Sequence, residues 1–389
     1  MIKKVGIITG TRAEYGLLKP LINKIIKDDA LELQLYVTGM HLSPEFGLTY
    51  KQIEEDGYYI TEKIETLLSS DTAIGVNKSI GLGIMSFSEA YMRQKPDIIV
   101  VLGDRYETLA AVIAAMISRI PIAHIHGGEK TEGAVDDAIR HSITKMSYLH
   151  FTSTEIYRNR VIQLGEHPER VFNVGAIGIE NIRNIDLYTK EQLEDRINFN
   201  FDKPVALVTF HPVTLEKATA REQFNNLLAA LEEEKQLNII FTKANADADG
   251  RIINQMIDQY AEKHSKRCRA FVSMGQQNYL SAMRYSCMVI GNSSSGIIET
   301  PSFGIPTVNI GDRQKGRVMP QSVINCKDNK KDILKAIRLG LSDQFREEIK
   351  YCNNPYEQEG TSERILEVIK QSLSNQIITL KKGFYDYER

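Results

Sequence analysis

The chain has 389 residues, a formal net charge of -2 and four cysteines without a Cys-x-x-Cys pair. Its length predicts two domains, each large enough to bury a core of its own. The near-neutral charge excludes a general electrostatic field for nucleic acid or an anionic membrane, so any phosphate binding has to be local, and the scattered cysteines favour a reducing, cytoplasmic compartment.

Strand and helix patterns alternate through the first part of the chain. Residues 4–9 form a β-branched run, and residues 17–26 then place leucines and isoleucines on one helical face. Further strands are predicted at 33–37, 97–102, 121–126, 149–152 and 171–174. The apolar stretch 109–125 contains Arg119 and Pro121, which predicts a helix followed by a strand and not a membrane span. This alternation is typical of an α/β fold with a parallel, doubly wound sheet.

A polar segment at residues 181–202 interrupts the alternation and predicts a boundary between two domains, 1–178 and 179–361. A second series of strands follows at 205–210, 237–242, 269–272, 288–290 and 307–310. We therefore expect two Rossmann-like domains whose ligand-binding loops, at the carboxyl ends of the strands, face one cleft. The last twenty residues combine tyrosine with charge and predict a surface tail.

A loop of small residues follows the predicted strand at 288–290. It reads Gly291-Asn292-Ser293-Ser294-Ser295-Gly296 and leads into a predicted helix that carries Glu299. Small residues let a ligand approach the backbone, and N–H groups at the start of a helix attract an anion such as pyrophosphate. A serine N-cap on a buried helix explains any single serine here, but three serines between two glycines favour a phosphate site.

The loop after the first strand, residues 10–16, contains Arg12 and Glu14. It is neither G-x-G-x-x-G nor a P-loop, so it supports neither a dinucleotide site nor a Walker-type ATP site. Arg12 can close over a phosphate, because guanidinium matches phosphate oxygens in a bidentate way, or it can form a surface ion pair with Glu14. The residues leave both alternatives open.

Titratable side chains follow two neighbouring strands. Asp104 and Arg105 come directly after the third predicted strand. His126 and Glu129 follow the fourth, and Asp136 lies a few residues further on. Such groups on adjacent strand tips can shift one another's pKa values toward neutrality, as general acid and base catalysis requires. The alternatives are a helix-capping role for Asp104 and an ion-pair network of the acids with Arg105 and Arg140.

Two further candidates concern the second domain and a metal. His211 follows the strand at 205–210 and is the matching acid–base candidate of the second domain. His124, His126 and Glu129 have a spacing that permits a metal site, but no H-E-x-x-H motif or cysteine ligand accompanies them. We expect no metal and no cofactor.

The motifs together are similar in sequence and order to those of the hydrolysing UDP-N-acetylglucosamine 2-epimerases of sialic acid synthesis, and the resemblance covers nearly the whole chain. They are Gly10-Thr11-Arg12-Ala13-Glu14-Tyr15, Thr38-Gly39-Met40-His41, Gly103-Asp104-Arg105, Gly127-Gly128-Glu129, Asp136-Asp137-x-x-Arg140-His141, His211-Pro212, Gly291-Asn292-Ser293-Ser294 and Gly311-Asp312-Arg313-Gln314. The resemblance implies two Rossmann-like domains of the GT-B type, shared with many nucleotide-sugar glycosyltransferases. It also implies a UDP-sugar substrate, a homodimer or homotetramer, and a C-terminal helix, within about 362–389, that packs back on the first domain.

The resemblance further implies roles for single residues. UDP is expected to bind to Arg12, Arg105, Asn245, Ser293, Ser294, Glu299 and Arg313, with Glu299 at the ribose hydroxyls. Asp104, Asp136 and His211 fall on the family's catalytic positions. The sequence departs from some relatives at His126, where they have a glutamate, so either His126 or Glu129 is expected to exchange the proton.

The implied reaction begins with removal of the proton on C2 of the sugar and loss of UDP from C1. Water then adds at C1 while C2 is reprotonated on the opposite face, which converts UDP-N-acetylglucosamine to N-acetylmannosamine and UDP. UDP-2,4-diacetamido-2,4,6-trideoxy-glucose, used in legionaminic acid synthesis, fits the same motifs. A UDP-sugar glycosyltransferase and a nucleotide-sugar sensor without turnover are the remaining alternatives.

Overall fold

The structure is a computed structural model that describes residues 2–68, 72–131, 135–213, 219–244, 250–374 and 378–386. The chain divides into two units. Unit 1 comprises Met1–Glu129, Asp136–Asn181 and Tyr356–Arg389, and unit 2 comprises Lys130–Val135 and Ile182–Pro355.

Unit 1 contains a parallel β-sheet. Its described strands are β1 (Lys3–Thr9), β2 (Leu31–Thr38), β3 (Glu62–Ile64), β4 (Ile98–Leu102), β5 (Ile122–Ile125), β6 (Leu149–Thr152) and β7 (Val171–Asn173). They form one seven-stranded sheet in the order β3-β2-β1-β4-β5-β6-β7, and each neighbouring pair is parallel. Because the strands are parallel, their carboxyl ends lie along the same edge of the sheet.

Helices pack against both faces of this sheet. Those described along residues 1–184 are α1 (Arg12–Ile26), α2 (Tyr50–Glu55), α3 (Ala73–Gln94), α4 (Tyr106–Ile117), α5 (Asp136–Met146), α6 (Glu155–Gln163) and α7 (Ile177–Asn184), which spans the division at residue 181. Alternate residues of β4 face two different cores: Val100 packs in the core that contains α1, whereas Ile99 and Val101 pack in the core that contains α3 and α4. Burial on both faces explains why this strand is continuously apolar.

Unit 2 contains a second parallel sheet. Its described strands are β8 (Val205–Thr209), β9 (Asn238–Thr242), β10 (Cys268–Phe271), β11 (Met288–Gly291), β12 (Thr307–Ile310) and β13 (Val323–Cys326). They form a six-stranded sheet in the order β10-β9-β8-β11-β12-β13, again with parallel neighbours. Its described helices are α8 (Lys190–Ile197), α9 (Ala220–Leu231), α10 (Gly250–Lys263), α11 (Gln276–Tyr285), α12 (Ser295–Ile298), α13 (Lys330–Leu341) and α14 (Asp343–Ile349).

The chain returns to unit 1 in its last helix, α15 (Thr361–Ser374). The buried face of α15 belongs to the same hydrophobic core as α1. Apolar residues on this face are spaced by three and four positions, as expected of a helix packed on a core.

Lys382, beyond α15, is bound by three groups of unit 1. Its Nζ donates to the carbonyl oxygens of Lys145 and Ser147 at 2.7 and 2.6 Å, and it lies 2.8 Å from Oε2 of Glu166. The Glu166 side chain is completely buried. The prediction of a surface tail is therefore wrong at Lys382, because its ammonium group neutralises a buried carboxylate.

The predicted class, α/β with two Rossmann-like domains, is confirmed by the two parallel sheets. The sequence pattern did not predict β3 and β13, which have three and four residues and lie at sheet edges. Their side chains are mostly half-buried or exposed, so they lack the apolar run that marks a central strand. Within the described ranges, we find no helix with both the length and the apolar character needed to cross a membrane.

Candidate active site

Arg140 joins two acidic side chains at the carboxyl ends of the unit 1 strands. Asp104 follows β4, Glu129 follows β5, and Arg140 lies on α5. Nη2 of Arg140 is hydrogen-bonded to Oδ2 of Asp104, and its Nη1 lies 3.5 Å from Oε2 of Glu129. The side chains of Arg140 and Glu129 are 4% and 2% exposed, whereas that of Asp104 is 19% exposed. Of the three side chains, Asp104 is the one that a ligand can reach most easily.

Asp104 does not cap α4. Arg105 occupies the N-cap position of that helix, and the Asp104 carboxylate is bound by Arg140 instead. The capping alternative is therefore wrong, and the ion-pair network that the sequence left open is present.

His126 lies beside Glu129 with a strained backbone. Its φ of +66° is in the left-handed region, which costs a residue with a Cβ atom about 1 to 2 kcal/mol. The His126 N–H donates to the carbonyl of Phe151 at 2.8 Å, Nδ1 lies 3.5 Å from Oε1 of Glu129, and Nε2 accepts from the Ile177 N–H at 3.4 Å. Ser153 Oγ donates to the same Glu129 oxygen at 2.7 Å. These contacts orient both the imidazole and the carboxylate.

His124, one of the candidate metal ligands, uses its ring nitrogens within unit 1. Its Nε2 donates to the Gly103 carbonyl at 2.8 Å, and its Nδ1 lies 3.1 Å from Oγ1 of Thr144. Burial lowers the pKa of His124 to about 3, so the ring is neutral. In the part of the chain that the structure describes, no group of three or more His, Cys, Asp and Glu is arranged to hold a metal ion.

Arg12 and Arg105 lie at the starts of α1 and α4. Arg105 donates from Nε and Nη2 to Oε1 of Glu107, at 3.2 and 3.0 Å. Burial lowers the pKa of the Arg12 guanidinium, and two neighbouring carboxylates oppose this shift. Glu14 is buried and accepts a hydrogen bond from the Gly10 N–H at 2.6 Å, so it does not form the surface ion pair with Arg12 that was one alternative.

The loop after β11 in unit 2 makes an unusually close backbone approach. Gly291 has φ of +141°, and a Cβ atom there would lie 1.8 Å from the Thr209 carbonyl oxygen, so only glycine fits. The following helix, α12, has four residues, and its N-cap Ser294 makes no side-chain capping bond. Among the described residues, the backbone N–H groups of Ser293 and Ser294 make no hydrogen bond. Ser294 thus occupies the N-cap position without a capping bond, whereas Ser293 Oγ accepts from the Ser295 N–H at 3.4 Å, and the predicted helix is a single turn with Glu299 at its end.

Asn292 connects three loops of unit 2. Its side chain accepts from the His211 N–H at 2.7 Å and donates to the His211 carbonyl at 2.8 Å. Its backbone carbonyl accepts from Arg313 Nη1 at 3.0 Å and from Gln314 Nε2 at 2.8 Å. The loops after β8, β11 and β12 are thereby fixed to one another. This brings His211 and Arg313 to residues 291–296, which we call the serine loop.

Glu299 is the titratable group next to the serine loop. Its Oε2 accepts from Ser295 Oγ at 2.5 Å, and Ser295 Oγ is 2.8 Å from the Tyr279 hydroxyl. Burial raises the pKa of Glu299 to about 7, and the bond from Ser295 opposes this shift. The carboxyl group is therefore divided between its neutral and ionised forms near neutral pH.

The structure groups the predicted residues by unit. In unit 1 these are Arg12, Asp104, Arg105, His126, Glu129 and Asp136, and in unit 2 they are His211, Ser293, Ser294, Glu299 and Arg313. Asn245 lies outside the described residues. The sequence reasoning treated Arg140 only as an ion-pair partner and missed Asn292 and Glu107. Arg140 had a usable signal, since it follows Asp136 by four positions and so lies on the same face of α5.

Two α/β units with parallel sheets, whose strand ends carry acidic, basic and hydroxyl side chains, define a two-domain α/β protein of the GT-B type. A family model described as UDP-N-acetylglucosamine 2-epimerase matches residues 23–370, and the chain belongs to this family. The resemblance to hydrolysing members of the family is confirmed by similar curated proteins.

Three relatives illustrate this similarity. The chain is 46% identical over 330 residues to the GDP/UDP-N,N'-diacetylbacillosamine 2-epimerase (hydrolyzing) of Campylobacter jejuni, covering 85% of this chain and 86% of that protein. It is 38% identical over 386 residues to the polysialic acid biosynthesis protein P7 of Escherichia coli, covering 99% and 98%. It is 35% identical over 370 residues to the UDP-N,N'-diacetylbacillosamine 2-epimerase (hydrolyzing) of Legionella pneumophila, covering 95% and 96%.

A solved structure supports the fold. The UDP-GlcNAc 2-epimerase from Neisseria meningitidis bound to UDP-GlcNAc matches with a TM-score of 0.76 and 18% identity, covering 95% of this chain and all of that chain. At this identity the likeness concerns the fold alone.

Proposed function

We propose that the chain is a hydrolysing 2-epimerase that converts UDP-N,N'-diacetylbacillosamine and water into the C2-epimeric free sugar and UDP. This substrate is the UDP-2,4-diacetamido-2,4,6-trideoxy sugar that was the alternative to UDP-N-acetylglucosamine. The choice is supported by two relatives, 46% and 35% identical, that are named for this substrate. UDP-N-acetylglucosamine is the second candidate, because the matching family model is described by it.

The observation that carries the reaction type is the Arg140 bridge between Asp104 and Glu129. The guanidinium stays charged and holds both carboxylates in place, while the partly exposed Asp104 and the histidine beside Glu129 are groups that can accept and donate protons. We assign Asp104 to contact the sugar as one acid–base group, and His126 as a second. Glu129 is 2% exposed and lies beside His126, which supports His126 over Glu129 as the second acid–base group. Asp136, at the start of α5, is a further candidate.

UDP binding is assigned to the residues that the resemblance implies. In unit 2 the N–H groups of Ser293 and Ser294 suit phosphate oxygens, Arg313 supplies a positive charge, and Glu299 suits the ribose hydroxyls. In unit 1, Arg12 and Arg105 supply guanidinium groups at the starts of two helices. Asn245 and His211 complete the assignment, as a binding residue and an acid–base residue respectively.

The proposed reaction has two stages. In the first, a base takes the C2 proton, the C1–O bond to UDP breaks, and a C1–C2 double bond forms. In the second, the oxygen of water bonds to C1 and a proton is delivered to C2 from the opposite face. Because the C2 proton is weakly acidic, the elimination needs positioned proton acceptors and stabilisation of the leaving diphosphate.

The proposal is tested by incubating the protein in deuterated water with UDP-N,N'-diacetylbacillosamine, its GDP counterpart and UDP-N-acetylglucosamine in separate reactions. NMR then identifies each released sugar. We expect UDP and the C2-epimeric diacetamido sugar with deuterium at C2, formed fastest from UDP-N,N'-diacetylbacillosamine. Faster turnover of either other substrate would reassign the substrate, and a released sugar without deuterium at C2 would exclude the elimination.

Two rival functions give different results in the same assay. A glycosyltransferase releases UDP only when an acceptor is present, so UDP formation from the sugar nucleotide alone argues against it. A sensor binds the nucleotide sugar without forming product, so time-dependent formation of a free sugar excludes that role.

A further inference from the structure

Two glutamates that the proposed reaction does not use, Glu14 and Glu107, approach the loop between β1 and α1. They are 7% and 3% exposed. Glu14 Oε2 accepts from the Gly10 N–H at 2.6 Å, and Glu107 Oε1 accepts two hydrogen bonds from Arg105, at 3.2 and 3.0 Å. Each glutamate therefore holds one element that the proposed function assigns to phosphate, because Gly10 belongs to the loop that leads to Arg12.

Two glycines leave room for both carboxyl groups. A Cβ atom on Gly10 would lie 3.5 Å from Glu107 Oε1 and 3.6 Å from Glu14 Oε2. A Cβ atom on Gly39 would lie 2.8 Å from Glu107 Oε1, and the φ of Gly39 is +58°. The two carboxyl groups thus meet at the same small buried region, which side chains at either glycine would occupy.

The charges in this region favour a neutral Glu14 beside an ionised Glu107. In the described part of the chain, Glu14 Oε1 and Glu107 Oε2 are buried and accept no hydrogen bond. If both carboxyl groups were ionised, Arg105 would compensate only one of them, and a buried uncompensated charge is costly. Burial raises the pKa of Glu14 to about 8; the Gly10 N–H opposes this shift, and the nearby Glu107 carboxylate adds to it.

The other titratable groups near Glu14 do not account for a change near this pH. Glu107 and Arg105 form an ion pair at the start of α4, and Arg12 is a guanidinium on α1 itself. His41, from the loop after β2, lies between two threonine hydroxyls, at 3.0 and 2.8 Å. Burial lowers the pKa of His41 to about 4, so its ring stays neutral through this pH range.

We propose that Glu14 and Glu107 are an electrostatically coupled carboxyl pair, with the proton on Glu14, that positions the phosphate-binding elements of unit 1. Neutral Glu14 holds the loop between β1 and α1, and ionised Glu107 orients the Arg105 guanidinium. When Glu14 loses its proton, the two carboxylates repel each other and compete for Arg105, so nucleotide binding weakens at alkaline pH. The ligand in this inference rests on the proposed function, whereas the carboxyl pair itself does not.

The pair is tested first in the ligand-free protein by an NMR titration of glutamate carboxyl carbons. The Glu14 signal is the one missing from the Glu14→Gln variant, and we expect its midpoint near pH 8. Glu107→Gln should move that midpoint to lower pH, because a neighbouring negative charge is removed. The exposed Glu367, assigned in the same way through Glu367→Gln, is the control. A Glu14 midpoint near 4.5, or one that Glu107→Gln does not move, would overturn the pair.

The positioning role is tested by calorimetric titration with UDP. Between about pH 7.5 and about pH 9.5 we expect the wild-type Kd for UDP to rise about tenfold. In Glu14→Gln we expect the Kd values at the two pH values to be about equal. Glu107→Gln should weaken binding about tenfold at both pH values, but not when Arg105→Ala is already present, because Glu107 acts through Arg105.

Different failures have different meanings. The positioning role is refuted if the Kd for UDP changes with pH by the same factor in the wild type and in Glu14→Gln. It is also refuted if Glu107→Gln weakens binding as much in the Arg105→Ala background as in the wild type. A wild-type protein that does not bind UDP at any pH refutes the proposed function together with that role. The NMR midpoint decides the carboxyl pair in every case. Circular dichroism of each variant checks that the fold is retained.

Discussion

The strand ends of unit 1 and unit 2 are built from different groups. In unit 1, charged side chains hold one another: Arg140 contacts Asp104 and Glu129, and Arg105 contacts Glu107. The positions of these groups therefore depend on their charges. Acidic and basic side chains held in place at strand ends are suited to acid–base chemistry.

In unit 2 the corresponding loops are held by contacts to amide and backbone groups. The Asn292 amide binds the backbone of His211 on both its N–H and its carbonyl, and Gly291 lies directly against the Thr209 carbonyl. Glu299 has a single hydroxyl donor and no charged partner in its hydrogen bond. Small residues and backbone N–H groups suit phosphate binding. Ion pairs therefore fix the groups at the strand ends of unit 1, whereas amide contacts and close backbone packing fix the loops of unit 2.

The largest effect is expected at Asp104. Asparagine has nearly the same shape but cannot exchange a proton, so Asp104→Asn should lower turnover about a thousandfold and change the Kd for UDP less than about threefold. UDP release and calorimetry measure the two quantities, and Asp29→Asn, at an exposed position, is the control. If Kd changed as much as turnover, Asp104 would serve binding, and the contrast between the two units would fail.

The next prediction concerns backbone geometry in unit 2. Gly291→Ala places a methyl group 1.8 Å from the Thr209 carbonyl oxygen, so the free energy of unfolding should fall by about 3 kcal/mol or more. At Gly304, where φ is +63° and the nearest backbone oxygen would be 3.4 Å away, the same substitution should cost about 1 to 2 kcal/mol. Urea denaturation measures both values. Equal losses of unfolding free energy in the two variants would show that the close approach at Gly291 does not add to the cost of a Cβ atom there.

A smaller effect tests how far the charged network of unit 1 extends. Lys382→Met removes the ammonium group that lies 2.8 Å from the buried Glu166 carboxylate. Lys145 and His150 also contact Glu166, at 2.6 and 3.0 Å, so we expect a loss of about 2 kcal/mol in the free energy of unfolding. Lys381→Met, at the exposed neighbouring position, should change it by less than about 0.5 kcal/mol. Similar values for both variants would mean that the last segment contributes no buried charge.

The smallest predicted effect is that Glu299 and Glu14 change UDP affinity in opposite directions as pH rises. Ionised Glu299 accepts hydrogen bonds from ribose hydroxyls, so UDP affinity should rise about tenfold as pH increases through about 7, opposite to the Glu14 effect near 8. Without ligand the sign reverses: the raised pKa of Glu299 stabilises the protein fully below about 4.5, and this contribution is lost as pH rises through about 7.

Two variants separate the Glu299 effect from the titration of UDP itself. Glu299→Gln should flatten the acidic side of the affinity profile, and Glu222→Gln, at an exposed position of unit 2, should leave it unchanged. The measurements are calorimetric Kd values and unfolding midpoints across the pH range. If UDP affinity still changed with pH on the acidic side of the profile in Glu299→Gln, that change would come from the nucleotide phosphate.

Local sequence patterns accounted for the central strands and for the loops that follow them. Asp104, Glu129 and the loop 291–296 all lie at the carboxyl ends of parallel strands, because a buried strand followed by a helix leaves its loop at that edge. The same patterns missed β3 and β13, whose exposed side chains give no apolar run. The helix that they predicted after residues 291–296 is confirmed as a single turn, α12.

The sequence by itself determined the α/β class, the two series of strands and the residue types available for phosphate and proton chemistry. It could do so because short-range residue patterns indicate burial and backbone conformation. Only the tertiary structure decided the partners. Asp104 meets Arg140, His211 meets Asn292, and Lys382 reaches the carbonyl of Lys145 across 36, 81 and 237 positions respectively. Such contacts follow from the order of strands in the sheets, which local periodicity does not contain. The tertiary structure also buries Glu14 near Glu107, although its neighbours in the sequence suggested a surface ion pair.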